Sequence, residues 1–418
     1  MKRRSAIALI VVVVLVLATA LALRWAMRPQ VLGPQVLILA GRSLGLEISA
    51  GEFDYRLRGT PQLVAREVSA RVPGASAPLV EAERVFISVP WSTLRARGAD
   101  LTVTRIEVDA PRLDLQPFMH WWSQRPPGDG RLPTLAEGLL IERGHVVGDG
   151  WSLRGLSVDL PHFAPDARVR GAVRGTWRAA SFEVPFALRV SMSRPSIGSG
   201  IGIAGTATPQ ADEWRLGNRF VLSTRLDNAP SGTPGFELHR LRLSSASRFE
   251  SSGATQRFAL GLAAEGAFAD GAVSLVPAAL AVRGNGLVPD LDGLGRLGWL
   301  DALELDLAGN IRQWPTAWPA LPPPVGDVDG PLPFRVRYAG PPGLSEALQL
   351  ELARGEARFE GSVRVLEIAP WVDAIDSGTP LPPLDGRLSV PRIDMGGATL
   401  HGVEVILEDD PVHGEQSP

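Results

Sequence analysis

VRGAVRGTWRAASFEVPFALRVSM, residues 169–192, reads as two strands joined by a short turn. In its first half Val169, Gly171, Val173, Gly175 and Trp177 share one parity, while Arg170, Arg174 and Arg178, with Arg168 just before the stretch, hold the other. In its second half Phe182, Val184, Phe186, Leu188, Val190 and Met192 place six apolar side chains on one face. Side chains alternate between the two faces of a strand, so such a segment builds a sheet with one dry face and one wet face. Pro185 lacks an N–H and predicts an edge or a bulge within the second strand.

The same period of two runs outward in both directions. Leu46/Ile48, Phe53/Tyr55/Leu57, Val85/Ile87/Val89, Ile106/Val108 and Leu156/Val158/Leu160 precede it. Leu241/Leu243, Phe258/Leu260/Leu262, Leu303/Leu305/Leu307, Phe334/Val336/Tyr338, Leu348/Leu350/Leu352 and Val403/Val405/Leu407 follow. The phase changes at Gly, Pro or Asp, as turns and bulges require. Gly and Pro, 45 and 36 of 418 residues, supply many turns. The expected fold is mainly β: about 25 strands of a long, curved, mostly antiparallel sheet, roughly 120 Å along its hydrogen-bonding direction. Short helices are expected at Gln35–Leu44, Trp91–Arg97, Pro117–Gln124, Leu287–Leu300 and Pro370–Ile375.

Ile7 to Leu23, IALIVVVVLVLATALAL, carries no charge and approaches the ~20 residues of a membrane span. Lys2, Arg3 and Arg4 favour a cytoplasmic N-terminus, and Trp25 suits an interfacial anchor. The run exceeds the 7–15 apolar residues typical of a cleaved leader, so an uncleaved anchor with the bulk of the chain exported is expected. The expected organisation is an anchor over 1–28, an N-terminal β module over 29–123, a central β region over 134–313, a C-terminal β segment over 325–408 and a polar tail over 409–418. Pro-rich stretches at 124–133 and 314–324 mark the breaks.

Composition narrows the chemistry. The chain has no cysteine, which removes disulfides, thiol nucleophiles and cysteine metal sites. A net charge of −3 argues against a nucleic-acid binder. Residues 1–180 hold 23 Lys/Arg against 16 Asp/Glu, whereas 251–418 hold 11 against 23. The six histidines form no helical zinc pair, and Lys2 is the only lysine, so no phosphate-binding loop exists. Asp290-Leu291-Asp292-Gly293 and Asp327-Val328-Asp329-Gly330 resemble turn chemistry more than a calcium loop. No catalytic, cofactor or metal residue is expected. The arginine stripe could contact phosphate headgroups, although a solvated strand face explains it more simply.

The stretches LAGRSLGLEISAGEF (39–53), PQLVAREVSARVP (61–73) and LVEAERVFISVPWSTLRARGADLTVTRIEVDAPRLDL (79–115) resemble the start of AsmA-like proteins. Gly41-Arg42-Ser43-Leu44 fits that family's turn into a strand, and Ile106 to Leu115 fits its strand pair. Residues 381–408 resemble its closing strands. The resemblance implies an inner-membrane anchored periplasmic protein of Gram-negative bacteria, associated with outer-membrane biogenesis and, in larger members, with a β-groove that conducts phospholipids.

Two architectures remain open. A closed sheet would be filled by its own side chains and serve as a membrane-anchored scaffold, such as an accessory N-type component of a secretion system. An open sheet would present its dry face to phospholipid acyl chains, with the inner membrane and a periplasmic or outer-membrane protein as partners. The expected lipid-facing residues are Val169, Val173, Trp177, Phe182, Val184, Phe186, Leu188 and Val190.

Overall fold

A computed structural model describes residues 45–408, apart from 97–98, 125–130, 180–181, 212–213, 230–234, 252–253, 270–271, 285, 301, 316–317, 319–329, 342–344, 366, 368–370, 372–383 and 396–397. The apolar segment Ile7 to Leu23, the helices expected at Gln35–Leu44 and Pro370–Ile375, Gly41–Leu44, Asp327–Gly330 and the tail lie wholly or mainly outside the described residues. Among the described residues no helix is long and apolar enough to cross a membrane.

The chain is mainly β and mostly antiparallel, as its alternation predicts. It divides into two compact units, Met1–Leu226 with Glu250–Ser252, and Asp227–Phe249 with Gly253–Pro418. The Pro-rich stretch at 124–133 lies within the first unit and that at 314–324 within the second.

The first unit opens with β1 (Glu47–Ser49), β2 (Glu52–Arg56), β3 (Gln62–Arg71), β4 (Val80–Ser88) and α1 (Trp91–Arg95). It continues through β5 (Thr102–Val103), β6 (Arg105–Asp109), β7 (Arg112–Asp114), α2 (Leu115–Ser123), β8 (Thr134–Leu135) and β9 (Leu139–Val147). Then come β10 (Trp151–His162), β11 (Val169–Ala179), β12 (Glu183–Met192), β13 (Ser199–Ala207) and β14 (Trp214–Asn228), whose last two residues fall in the second unit. β9 to β14 form an antiparallel meander. One join departs from it: β6 and β7 pair with β9 in parallel. Parallel neighbours need a crossover, and α2 with β8 provides it.

That crossover builds a core. Ile106, Val103 and Leu135 are fully buried, and α2 turns Phe118 and Trp121 into the same cluster, their rings 5.8 Å apart. The cluster reaches Leu139, Ile141, Leu160 and Phe163. The ladder of β10 shifts register on both sides, and Gly155, at φ +60°, sits in that irregularity.

The second unit holds β15 (Gly235–Ser251), β16 (Ala254–Ala269), β17 (Ala272–Gly284), β18 (Asp290–Trp299), β19 (Leu303–Gln313), β20 (Leu332–Gly340), β21 (Leu348–Arg354), β22 (Ala357–Val363), β23 (Leu384–Met395) and β24 (Ala398–Leu407). β16 to β24 form an antiparallel meander. A core of Ile311, Leu332, Phe334, Leu352, Ala357, Leu388 and Val390 lies over β19, β20 and β21 to β23.

Two local expectations are corrected. Leu287–Leu300 is not a helix: Asp290–Trp299 is a strand paired on both sides. Leu287, Leu291 and Leu294 imitate a helical spacing, but Gly293, Gly295 and Gly298 disfavour a helix and permit close strand approach. A Cβ on Gly295 would stand 1.9 Å from the Asp306 carbonyl oxygen of β19. Pro185 makes neither an edge nor a bulge, since β12 pairs on both sides and its ladder with β11 is unbroken. Its carbonyl accepts from Thr208, one residue beyond β13, and its missing N–H faces the same way. The ladder loses that one donor and resumes beyond it, where Glu183 and Gln210 exchange both backbone hydrogen bonds.

Candidate functional site

The register of β11 to β14 stacks the dry parity into rows that cross all four strands. Val173 pairs with Leu188, Trp177 with Val184, Gly175 with Phe186, Gly171 with Val190 and Val169 with Met192. The rows continue: Val190 pairs with Ile203 and Ile203 with Leu222, while Leu188 leads through Gly205 to Phe220. All the expected residues on β11 and β12 therefore share one face. Phe182, in the turn before β12, lies 5.3 Å from Trp177, ring centre to ring centre, and 6.5 Å from Trp214.

None of these rows is roofed. Among the described residues from Ala164 to Leu226, Ser199 is the only buried one, and every apolar member of the rows keeps partial exposure. A second protein layer would drive such side chains towards the 0% of Val103, Ile106 and Leu135 in the same unit. Neighbours on the same face shield them laterally, and nothing described covers them from above. Val169 alone touches the nearby core, as a half-buried residue at its margin.

The second unit repeats the rows but not their exposure throughout: the row Ala264, Ala278, Gly295 and Leu307 has Ala264, Ala278 and Leu307 buried, while others on that face are only partly covered. Leu260 pairs with Val282, and Val282 with Leu291; Leu262 pairs with Leu280. These side chains are half-buried, and the row through Leu291 reaches Ile311, which belongs to the closed core.

The expected residues omit part of this surface. Ile201, Ile203, Phe220 and Leu222 complete the rows in the first unit, but GIGIAG (200–205) interrupts its apolar residues with glycine. Phe220-Val221-Leu222 is apolar on both parities, so its alternation is masked.

The wet face carries ion pairs. Arg178 donates to Glu183 at 2.7 Å, and Gln210 donates to the same carboxylate at 2.9 Å. The Arg178 hydrogen bond, then that of Gln210, holds the Glu183 carboxyl below its ordinary range. Glu107 and Asp109 both accept from Arg84, at 3.1 and 3.0 Å. Residues 290–293, a turn by their sequence pattern, instead begin strand β18, where Asp292 accepts from Arg283 at 2.6 Å and also pairs with Arg312. His239 stands 3.1 Å from Glu237 and 3.2 Å from Glu265, with its two ring nitrogens directed at carboxylates. Among the described residues no group of three or more His, Asp or Glu side chains could hold a metal ion.

Comparison of the chain with family models, with curated proteins and with solved structures finds no match.

Proposed function

We propose that this chain is a single-pass envelope protein, anchored in the bacterial inner membrane by Ile7 to Leu23, with its β units in the periplasm. It shields phospholipid acyl chains, or passes them passively, along the dry rows of its strands. On this proposal it is an AsmA-like protein, not an enzyme, serving outer-membrane biogenesis and lipid homeostasis, with the unroofed rows of the first unit lining a groove.

The observation that carries the proposal is the lack of a roof over Val173, Leu188, Val190, Ile203 and Leu222. Contiguous apolar surface is seldom left against water unless something binds there. An acyl chain laid along the rows gains about 0.8 kcal/mol for each CH₂ it buries. The half-exposed Trp177, Phe182 and Trp214 cluster offers the flat apolar surface that such a chain packs against.

The test is photocrosslinking in cells with a photoreactive amino acid at Val184 or Phe186, alongside native mass spectrometry of the purified chain. Phospholipid adducts and co-purified phospholipid support the proposal. Protein adducts alone, with no lipid in the spectrum, replace it with the scaffold architecture.

A further inference from the structure

The opposite face of the same strands holds a cleft of about 860 Å³, bordered by β9 to β14. Its charges are graded across the strands, with Arg174 the diagonal neighbour of Asp159 and with Arg189 and Arg219 farther from the acids. Arg174, Arg189 and Arg219 stand on the side of β11, β12 and β14, and Glu142 and Asp159 stand on β9 and β10. Ala172, Ala187 and Ala204 lie between them.

Register fixes the pattern. Arg174, Ala187, Thr206 and Arg219 form one lateral row, so the two arginines are three strands, about 14 Å, apart. Asp159, Ala172, Arg189 and Ala204 form the next row. Arg189 is thus the diagonal neighbour of Arg174, at about 7–8 Å between backbones. The alanines leave the space between the guanidinium groups empty of side chain, and Thr206 adds a hydroxyl.

These arginines are not neutralised by carboxylates among the described residues. Arg84, Arg178, Arg283 and Arg335 lie against carboxylates. Among the described residues Arg174, Arg189 and Arg219 make no ion pair. Like charges that share a concave surface repel, and a bound anion relieves that repulsion. An anion alone would leave Asp159 and Glu142 unused at the other end.

We infer that this cleft binds a phosphate that carries a primary amine a few atoms away, of the phosphoethanolamine type. The phosphate sits over Ala187 and Ala204 and accepts from Arg174, Arg189, Arg219 and Thr206. The ammonium points at Asp159 and Glu142. Guanidinium groups suit phosphate oxygens because their planar fork offers paired donors. The site lies across the sheet from the dry rows and stands whether or not those rows carry acyl chains.

The experiment is calorimetric titration of the full chain in detergent with O-phosphoethanolamine, phosphocholine and inorganic phosphate, followed by sedimentation with phosphatidylethanolamine vesicles. Phosphoethanolamine is expected to bind about tenfold more tightly than inorganic phosphate or phosphocholine, the worth of one charge-assisted contact to the amine. Asp159→Asn should erase that preference while leaving phosphate binding in place, and Arg189→Ala with Arg219→Ala should abolish both. Ala187→Glu, at an exposed position that folding tolerates, should also abolish binding. Vesicle binding sensitive to the same changes assigns the headgroup to a membrane lipid, and its absence with the soluble ligand still bound assigns it to a free metabolite. Equal affinity for all three soluble ligands, affinity unchanged by Asp159→Asn, or no heat with any of them overturns the inference.

Discussion

Trp177 and Phe182 meet edge to face, ring centres 5.3 Å apart, where β11 turns into β12. The pair closes the hairpin that the rest of the dry face is registered against, and Phe182 in turn reaches Trp214 at 6.5 Å. Both rings remain half-exposed. Trp177→Ala removes the aromatic contact and part of a large apolar area, without opening a sealed cavity. The expected cost is about 1–2 kcal/mol, below the 3–5 typical of a buried tryptophan. Urea unfolding should show a lower midpoint with an unchanged slope; a cost of 4 kcal/mol or more would mean that this face is covered after all.

A second relationship makes stability depend on pH. The Arg335 Nε and Nη2 both donate to the Asp306 carboxylate, each at 3.0 Å. Hydrogen bonding from Arg335 is the main reason that the Asp306 carboxyl is held below its ordinary range. A carboxyl with a depressed folded value stabilises the protein above its unfolded value of about 3.9, and that contribution is lost as pH falls through the folded value. Arg335 is 45% exposed on its side chain, so solvent screening keeps the contribution small. Asp306→Asn should lower the urea midpoint at neutral pH, and the gap to the parent should close in acid. A gap that persists at the lowest pH would assign the effect to packing.

The histidine on β9 acts in the same direction, at a higher pH. Burial pushes His145 below its ordinary value of 6.5, and Arg112 and Arg154 push the same way. Above about 6.5 both folded and unfolded chains hold the ring neutral, so nothing is lost. Below it the unfolded chain takes up the proton first, and stability falls towards the folded value. His145→Gln should flatten that decline as pH falls below about 6.5 in thermal unfolding followed by circular dichroism. An identical slope in parent and variant would remove His145 from the acid response.

Glycines in the second unit fall into two kinds. A Cβ on Gly309 would stand 1.9 Å from the Asp292 carbonyl oxygen, whereas one on Gly261 meets nothing within 4 Å. Gly309 pairs directly with Gly293 across β18 and β19, so backbone faces backbone there. Gly309→Ala must spread the strands, at about 2–3 kcal/mol, while Gly261→Ala should be neutral within about 0.5 kcal/mol. Chemical denaturation of the two variants side by side checks the contrast.

How much of this was legible beforehand follows from where the information sits. Alternation is local, so Val169 to Met192 shows its strands and its dry parity in the sequence itself. The parallel join of β9 to β6 and β7 is tertiary: it depends on α2 carrying Phe118 and Trp121 onto Ile106, and no period along the chain encodes that docking. β18 was obscured because Leu287, Leu291 and Leu294 mimic a helical stripe, while its glycines answer to strand partners distant in sequence. The arginine cleft is likewise invisible in one dimension. Arg174, Arg189 and Arg219 belong to three strands and become neighbours only through register.

The strongest separation between fold and function lies in the unroofed rows. Leu188 and Ile203 are half-buried on a face with no second layer, whereas Ile106 is fully buried in the core cluster to which α2 contributes Phe118 and Trp121. Placing an amide in a sealed core leaves it without partners and costs about 3 kcal/mol or more, but an amide on an open face keeps its water. Leu188→Asn and Ile203→Asn should therefore leave the thermal midpoint within a few degrees of the parent, and Ile106→Asn should unfold the first unit. If the rows carry acyl chains, the first two variants together should lose most of the co-purified phospholipid seen by mass spectrometry while keeping their β circular dichroism. Retained lipid in a folded double variant would show that the tails lie elsewhere. Unfolding of that variant would show that these rows are core.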